Sequence, residues 1–256
     1  MILDFKTTGQ ELSEEISEDA LLGGRVRLRQ PKQGYRAAID PVFLAAAVPA
    51  KAGEIVLDAG SGAGAAALSL AVRMEGVRVT GIELNAATAG LARENADLNG
   101  LAGRLEFIHG DILSPPRSLR PGSFDHVMVN PPHMTESSGH PPTDAARARA
   151  HVEGDAVLSH WLGFCLKMVR AKGSITVIHR TDRLDEVLAG LGRGAGDIAV
   201  FPLWPKGGVA SKRVIVRARK GVKTPMRLLS GLVLHLPDGS YTPQAAAVLA
   251  GGGMEF

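Results

Sequence analysis

Short β-branched apolar runs alternate along this chain with longer stretches rich in Ala and Leu. The runs Glu54–Asp58 (EIVLD), Val77–Glu83 (VRVTGIE), Arg104–His109 (RLEFIH), Phe124–Asn130 (FDHVMVN) and Ser174–His179 (SITVIH) read as strands. The stretches Ala65–Met74, Ala86–Leu98, Asp155–Arg170 and Asp182–Leu191 read as helices between or after them. Strands alternating with helices predict βαβ units and a mainly parallel sheet. Gly100 and Gly173 fall just past two of the helices, where a left-handed residue ends the last turn at little cost. Two further runs, Asp197–Leu203 and Ser211–Arg219, flank a Gly/Pro-containing loop at 204–210 and predict an antiparallel hairpin at the end of the sheet. Residues 1–50 precede the first core strand and form an N-terminal cap region, leaving 51–256 as the main domain. From Pro237 onward the pattern is that of a short terminal segment ending in a mobile glycine triplet, Gly251–Gly253.

Composition narrows the class without changing the picture. A chain of 256 residues with 45% hydrophobic and 21% charged residues buries a sizeable core without disulfides or metals. Its one cysteine, Cys165, excludes an internal disulfide and a cysteine-based zinc cage, and its place in the apolar run Trp161–Val169 points to a buried, inert thiol. His133, His140, His151 and His160 lack the spacing of a compact metal site, so no metal is expected. The N-terminal residues lack a basic stretch followed by an apolar one, and no run approaches the ~20 apolar residues that span a bilayer; a cytoplasmic, non-membrane protein is expected. The formal net charge is +3, but residues 204–236 hold eight cations and no acid: Lys206, Lys212, Arg213, Arg217, Arg219, Lys220, Lys223 and Arg227. A second basic stretch comprises Arg25, Arg27, Arg29, Lys32 and Arg36. Patches of this kind suit a polyanionic partner or a solvated face equally well.

Four motifs lie in order at the ends of the first four core strands. Val56–Gly64 (VLDAGSGAG) is a strand running into a glycine-rich turn that opens a helix; Gly60 and Gly62 allow close backbone approach to a ligand, and the helix N-terminus adds partial positive charge. Alone, this stretch would also pass as a dinucleotide fingerprint or a tight structural turn. Asp58 inside it repels a pyrophosphate and attracts an ammonium group. Glu83, in Gly81–Asn85 (GIELN), ends the second strand where a carboxylate accepts two ribose hydroxyls, or where it simply caps the next helix. Asp111 and Ile112, after the third strand, offer an acceptor for an exocyclic amine and a surface for a ring. The fourth motif, Asn130-Pro131-Pro132-His133, is the specific one. The two prolines remove main-chain donors and fix the backbone, so the Asn130 amide oxygen and the Pro131 carbonyl form a rigid pair of acceptors. Such a pair suits a planar –NH2 group whose delocalised lone pair must be drawn out before it can react, with His133 stacking on the ring that bears it.

These motifs together resemble the class I S-adenosylmethionine-dependent methyltransferases that carry an Asn-Pro-Pro-aromatic motif, and within them the bacterial tRNA adenine-N6 methyltransferases. The resemblance extends to Gly34–Asp40 (GYRAAID), Ala148–His151 (ARAH), His179–Leu184 (HRTDRL), Ser211–Gly221 and Pro237–Thr242 (PDGSYT), and so covers most of the chain from about residue 21. His133 departs from the Tyr or Phe usual at that position. The resemblance implies a Rossmann-like α/β fold with a seven-stranded, mostly parallel sheet, a terminal antiparallel hairpin and helices on both faces. It implies S-adenosyl-L-methionine as cofactor, bound by Asp58, Gly60, Ser61, Gly62, Gly64, Glu83, Leu84, Asp111, Ile112 and Asn130, and catalysis at Asn130, Pro131, Pro132 and His133. Tyr35, Arg36, Asp40, Lys212 and Arg213 are expected at the substrate, an RNA. A glutamine side-chain nitrogen of a protein, a guanine N2 in rRNA, and a non-catalytic RNA-binding module on the same fold are the alternatives.

Overall fold

The computed structural model describes residues 16–32, 36–132 and 156–256. Tyr35, His133 and the Ala148–His151 segment lie outside the described residues. The core strands are β3 (Ile55–Ala59), β4 (Arg78–Glu83), β5 (Leu105–His109), β6 (Phe124–Val129) and β7 (Val169–Arg180), all parallel, followed by the antiparallel pair β8 (Ala195–Lys206) and β9 (Arg213–Lys220). Their order across the sheet is β5-β4-β3-β6-β7-β9-β8, so chain direction reverses topologically at β3, with β4 and β5 to one side and β6 and β7 to the other. The seven expected strands are all present. Two short parallel strands, β10 (Arg227–Leu228) and β11 (Leu232–His235), extend the sheet along β8.

Side chains alternate faces along each strand, and the two faces carry separate cores. Val56, Met128, Ile178 and Ile215 face a layer built from α1 (Asp40–Ala47), α2 (Ala65–Arg73), α3 (Ala86–Leu98) and α6 (Pro243–Leu249). Leu57, Val127, Val129, Val177 and Val216 face α4 (Leu158–Met168) and α5 (Leu184–Leu191). Cys165 is buried in the second layer. At the amino ends of the strands, His126 joins the Ser174 hydroxyl (2.7 Å) to the Glu54 carboxylate (3.0 Å), and Asp125 accepts from the Ile55 N–H (2.9 Å). These contacts hold one end of the sheet closed while the carboxyl ends splay into loops.

Three features differ from what the pattern alone predicts. Gly100 is left-handed after α3 as expected, but near α4 the left-handed residue is Lys172; Gly173 is required because a Cβ there would lie 2.5 Å from the Asp125 carbonyl oxygen. The terminal segment is held rather than free. Thr242 caps α6, the Arg25 guanidinium donates to the Ala250 carbonyl (2.6 Å), and Phe256 stacks on Phe201 beneath Arg217. The basic stretch at 204–236 is not a free face at Arg213 and Arg217, which lie on one face of β9 with Arg217 in mid-strand. The two grip the ends of α1, with Arg213 Nε donating to Asp40 (2.9 Å) and Arg217 Nη1 to the Ala47 carbonyl (3.3 Å). Each contact also suits the helix dipole, with an acid in the first turn and a cation at the last carbonyls.

The N-terminal residues form a hairpin of β1 (Ile16–Leu21) and β2 (Val26–Pro31), whose outer edge faces α3. Asn95 and Asn99, one helical turn apart, treat that edge as a strand would. Each carboxamide accepts from and donates to a β2 residue, Asn95 with Arg29 and Asn99 with Arg27. The geometry works because four residues of helix rise about 6 Å and two residues of strand about 6.8 Å. Asn95 is fully buried and also donates to the Ala63 carbonyl in the glycine-rich turn (2.9 Å). Asn95→Ala strands three buried backbone groups and should lower urea stability by about 2–4 kcal/mol, against about 1 kcal/mol for the more exposed Asn99→Ala. Equal losses would show that the Ala63 contact contributes nothing.

Candidate active site

The four motifs converge because β3, β4, β5 and β6 are adjacent and parallel, so their carboxyl ends open on one rim. Register fixes the levels: Asp58 is paired with Gly81 on β4 and with Met128 on β6, and Glu83 with His109 on β5. Asp58, Glu83, Asp111 and Asn130 therefore lie at the same end of the sheet.

The glycine-rich turn is shaped by three left-handed glycines, Gly60, Gly62 and Gly64. Gly60 and Ser61 both donate to the Ile82 carbonyl (2.9 and 3.0 Å), tying the turn to β4. A Cβ on Gly60 would meet the Trp161 ring at 2.8 Å, and one on Gly64 would meet Phe107 at 2.9 Å. At Gly62 no atom lies within 4 Å of such a Cβ, so this glycine borders open space. The two positions should therefore respond differently to alanine. Gly60→Ala should unfold at lower urea, whereas Gly62→Ala should stay folded, at a backbone cost of about 1–2 kcal/mol, and lose at least tenfold in ligand affinity. An unchanged affinity for Gly62→Ala would remove this turn from the site.

Asp58 is 2% exposed, and its carboxylate takes the backbone N–H of Ala67 in the first turn of α2. The other oxygen, Oδ2, has no hydrogen-bond partner among the described residues. Burial pushes the carboxyl up to about 7, the Ala67 N–H partly opposes this, and the charge of Glu83 adds to it. A buried acid with an unpartnered oxygen at this end of the sheet calls for a cationic group to complete it. Glu83 is held by two backbone donors, Gly62 N–H on Oε2 (3.0 Å) and Asn85 N–H on Oε1 (2.9 Å), each oxygen keeping further acceptor capacity toward the rim. It does not cap the helix: Asn85 does, accepting from Thr88 N–H (2.9 Å). Leu84 is exposed beside it. Asp111 accepts from Leu113 N–H (2.8 Å), and Ile112 is buried against the same wall. Asn130, Pro131 and Pro132 follow β6 directly, with the Asn130 side-chain oxygen buried at the tip of the strand.

The remaining expected residues are less central. Arg36 pairs with Asp19 (2.8 Å) on the hairpin, and Asp40 pairs with Arg213, so these members of the expected substrate set serve structure at least in part. Lys212 is exposed at the start of β9. Trp161, Phe107 and Asn95 back the glycine-rich turn, yet nothing near them in sequence signals it. They read as ordinary core positions of a helix, a strand and a helix. Among the described residues no cluster of His, Cys, Asp or Glu could hold a metal ion, and no helix is long and apolar enough to cross a membrane.

Residues 38–146 match the family model described as methyltransferase small domain. A tRNA1(Val) (adenine(37)-N6)-methyltransferase of Porphyromonas gingivalis is 34% identical over 206 residues, 73% of this chain and 75% of that protein. A release factor glutamine methyltransferase of Chlorobaculum tepidum is 39% identical, but over only 83 residues, 32% of this chain and 28% of that protein. Among solved structures, a predicted O-methyltransferase of Agrobacterium tumefaciens superposes with a TM-score of 0.71 at 23% identity, covering 84% of this chain and 98% of that one, a likeness of fold.

The buried acid makes a signed prediction. Because its folded pKa lies above the ordinary 3.8, the protonated form favours the ligand-free fold. That contribution is complete below about pH 3.8 and is lost as pH rises through about 7, on the order of 4 kcal/mol in all. A ligand ammonium instead needs the ionised form. S-adenosylmethionine affinity measured by calorimetry should therefore rise about tenfold from pH 5.5 to 7, below the range where an α-amino group loses its proton. Asp58→Asn should bind more weakly and with a flat profile; a wild-type profile that is already flat would count against Asp58 as the ammonium partner.

Proposed function

This chain belongs to the class I S-adenosylmethionine-dependent methyltransferases that carry the Asn-Pro-Pro motif, and from that premise we propose that it methylates the N6 amine of an adenine in tRNA. The single observation that carries this reading is the placement of Asn130-Pro131-Pro132 at the tip of β6, beside the strand that holds Asp58. The similarity to the Porphyromonas gingivalis tRNA methyltransferase supports the substrate, since it extends well beyond the shared methyltransferase domain, whereas the similarity to the glutamine methyltransferase stays within a third of the chain.

When bound, S-adenosylmethionine supplies a methyl group activated by its sulfonium. The Gly60–Gly64 turn and Asp58 would hold the methionine part, Asp58 serving its ammonium. Glu83 would accept the ribose hydroxyls, and Leu84, Asp111 and Ile112 would frame the adenine ring, Asp111 accepting from its amine. The substrate adenine leaves its stack to reach the rim, and the amine hydrogens go to the Asn130 amide oxygen and the Pro131 carbonyl. Held that way, the nitrogen lone pair turns out of the ring plane toward the methyl carbon. The amine nitrogen would take the methyl group that the cofactor supplies, and its proton would pass to solvent. His133 is assigned to stacking on the base, and Pro132 to keeping the loop free of competing donors. Positioning and polarisation supply the acceleration without a strong base. A tRNA substrate places the protein in the cytoplasm.

Nucleoside mass spectrometry tests the substrate directly. Purified protein incubated with S-adenosylmethionine and total tRNA should generate N6-methyladenosine in tRNA, and methylglutamine in a release factor in its place would overturn the reading. Asn130→Ala should lower the rate by about 10²–10³ while cofactor affinity stays within a few-fold. A comparable loss of cofactor affinity would move Asn130 out of the catalytic role.

A further inference from the structure

We propose that a cleft of about 290 Å³ beside the rim, lined by Arg180, Asp182, Ser211, Lys212 and Arg213, binds a backbone phosphate of the RNA whose base enters the Asn130 site. The proposal rests on the reading of the acceptor as RNA. Three observations lead to it.

The first is position. Val177 on β7 pairs with Val129 on β6, and Arg180 pairs with Arg213 across the antiparallel β7–β9 ladder. Arg180 thus lies two residues of rise and one strand spacing from Asn130, about 8 Å by strand geometry. A phosphate here neighbours a base there.

The second is what becomes of the basic segment. Six of the eight cations in residues 204–236 are tied to the protein. Lys206 donates to the Pro237 carbonyl, Lys220 to the Val169 carbonyl, Arg217 to the Ala47 carbonyl, and Arg219 and Arg227 flank Asp197. Arg213 pairs with Asp40. Only Lys212 and Lys223 have no partner among the described residues, and Lys223 follows the end of β9 that lies level with the amino half of β7, away from the rim. The unpaired charge of the segment at the rim is therefore Lys212, inside the cleft.

The third is pre-organisation. Asp182 holds Arg180 by its Nε (2.9 Å) and Nη2, and Asp40 holds Arg213 by its Nε. Among the described residues, Nη1 of Arg180 and Nη2 of Arg213 donate to nothing, so each guanidinium is fixed on one edge and open on another. With Asp182 paired to Arg180 and Asp40 to Arg213, the cleft keeps a net single positive charge, that of Lys212. Planar donors held in place are suited to phosphate oxygens, and Lys212 adds a point charge. Arg180 is the residue that inspection of the sequence did not single out for substrate binding.

The test is the salt dependence of binding to a short RNA stem–loop with adenine in its loop, read by fluorescence anisotropy. Arg180→Gln and Lys212→Ala should each weaken binding about five- to tenfold and reduce the slope of log affinity against log salt by about 1. Lys223→Ala should leave the slope unchanged, and S-adenosylmethionine affinity should be unchanged in all three. A wild-type slope in both cleft variants overturns the proposal, as does an equal loss in Lys223→Ala. If the wild type binds the stem–loop with the cleft-dependent slope yet transfers no methyl group to RNA, the cleft stands and the adenine reading falls. If it methylates RNA while both cleft variants keep the wild-type slope, the adenine reading stands and the cleft falls. Selective loss of binding to an acidic peptide, with RNA binding untouched, also overturns the phosphate assignment.

Discussion

The parallel ladder that β3 shares with β4 on one side and β6 on the other is the constraint from which the site follows. Parallel neighbours place like ends together, so four loops that are 20 to 30 residues apart in the chain open on the same rim. The amino ends are sealed by Glu54, His126, Ser174 and Asp125, and only the carboxyl ends remain available for chemistry. Were β6 displaced along β3 by one residue, Asn130 would turn to the other face and the site would lose its acceptor.

Electrostatics then divides the rim. Asp58 is buried deeply enough that ionisation is costly without a cation beside it, while the Glu83 carboxylate, a short distance away, is fixed in place by two backbone donors at its strand tip. Two carboxylates on adjacent strands thus differ in what they can do: one waits for a charged partner, the other presents fixed acceptors. The same logic separates the basic residues. A count of Lys and Arg marks residues 204–236 as a candidate interface, but most of those side chains fasten strands and helices of this chain to one another, and only a small part of the charge reaches the rim.

What could be read from the residues follows from how local each signal is. Glycines that need left-handed backbone, acids at strand ends and a di-proline after an apolar run are determined within a few positions, and the strand register puts Asp58, Glu83, Asp111 and Asn130 at one end of the sheet. The hairpin of Ile16–Leu21 and Val26–Pro31 was not visible because its stabilising partners, Asn95 and Asn99, lie more than 60 residues away and look like polar positions on a helix. The pairing of Asp40 with Arg213 spans 173 residues. Arg217 and Phe256 meet only because the sheet carries them together. In each case the information lies in tertiary proximity, which no window of sequence contains. Gly173 is instructive in a different way: its position after a helix suggested a left-handed cap, whereas the backbone of β6 passing close by is what excludes a side chain.

The paired carboxamides of α3 have one more effect. A two-stranded ribbon offers two open edges, and an open edge is a template for adding a strand from another molecule. Here the edge of β2 is filled by Asn95 and Asn99, and the other edge carries Glu18 and Asp19 in ion pairs with Arg27, Arg29 and Arg36. The ribbon is therefore protected against self-association on one side by a helix that mimics a strand, and on the other by charge.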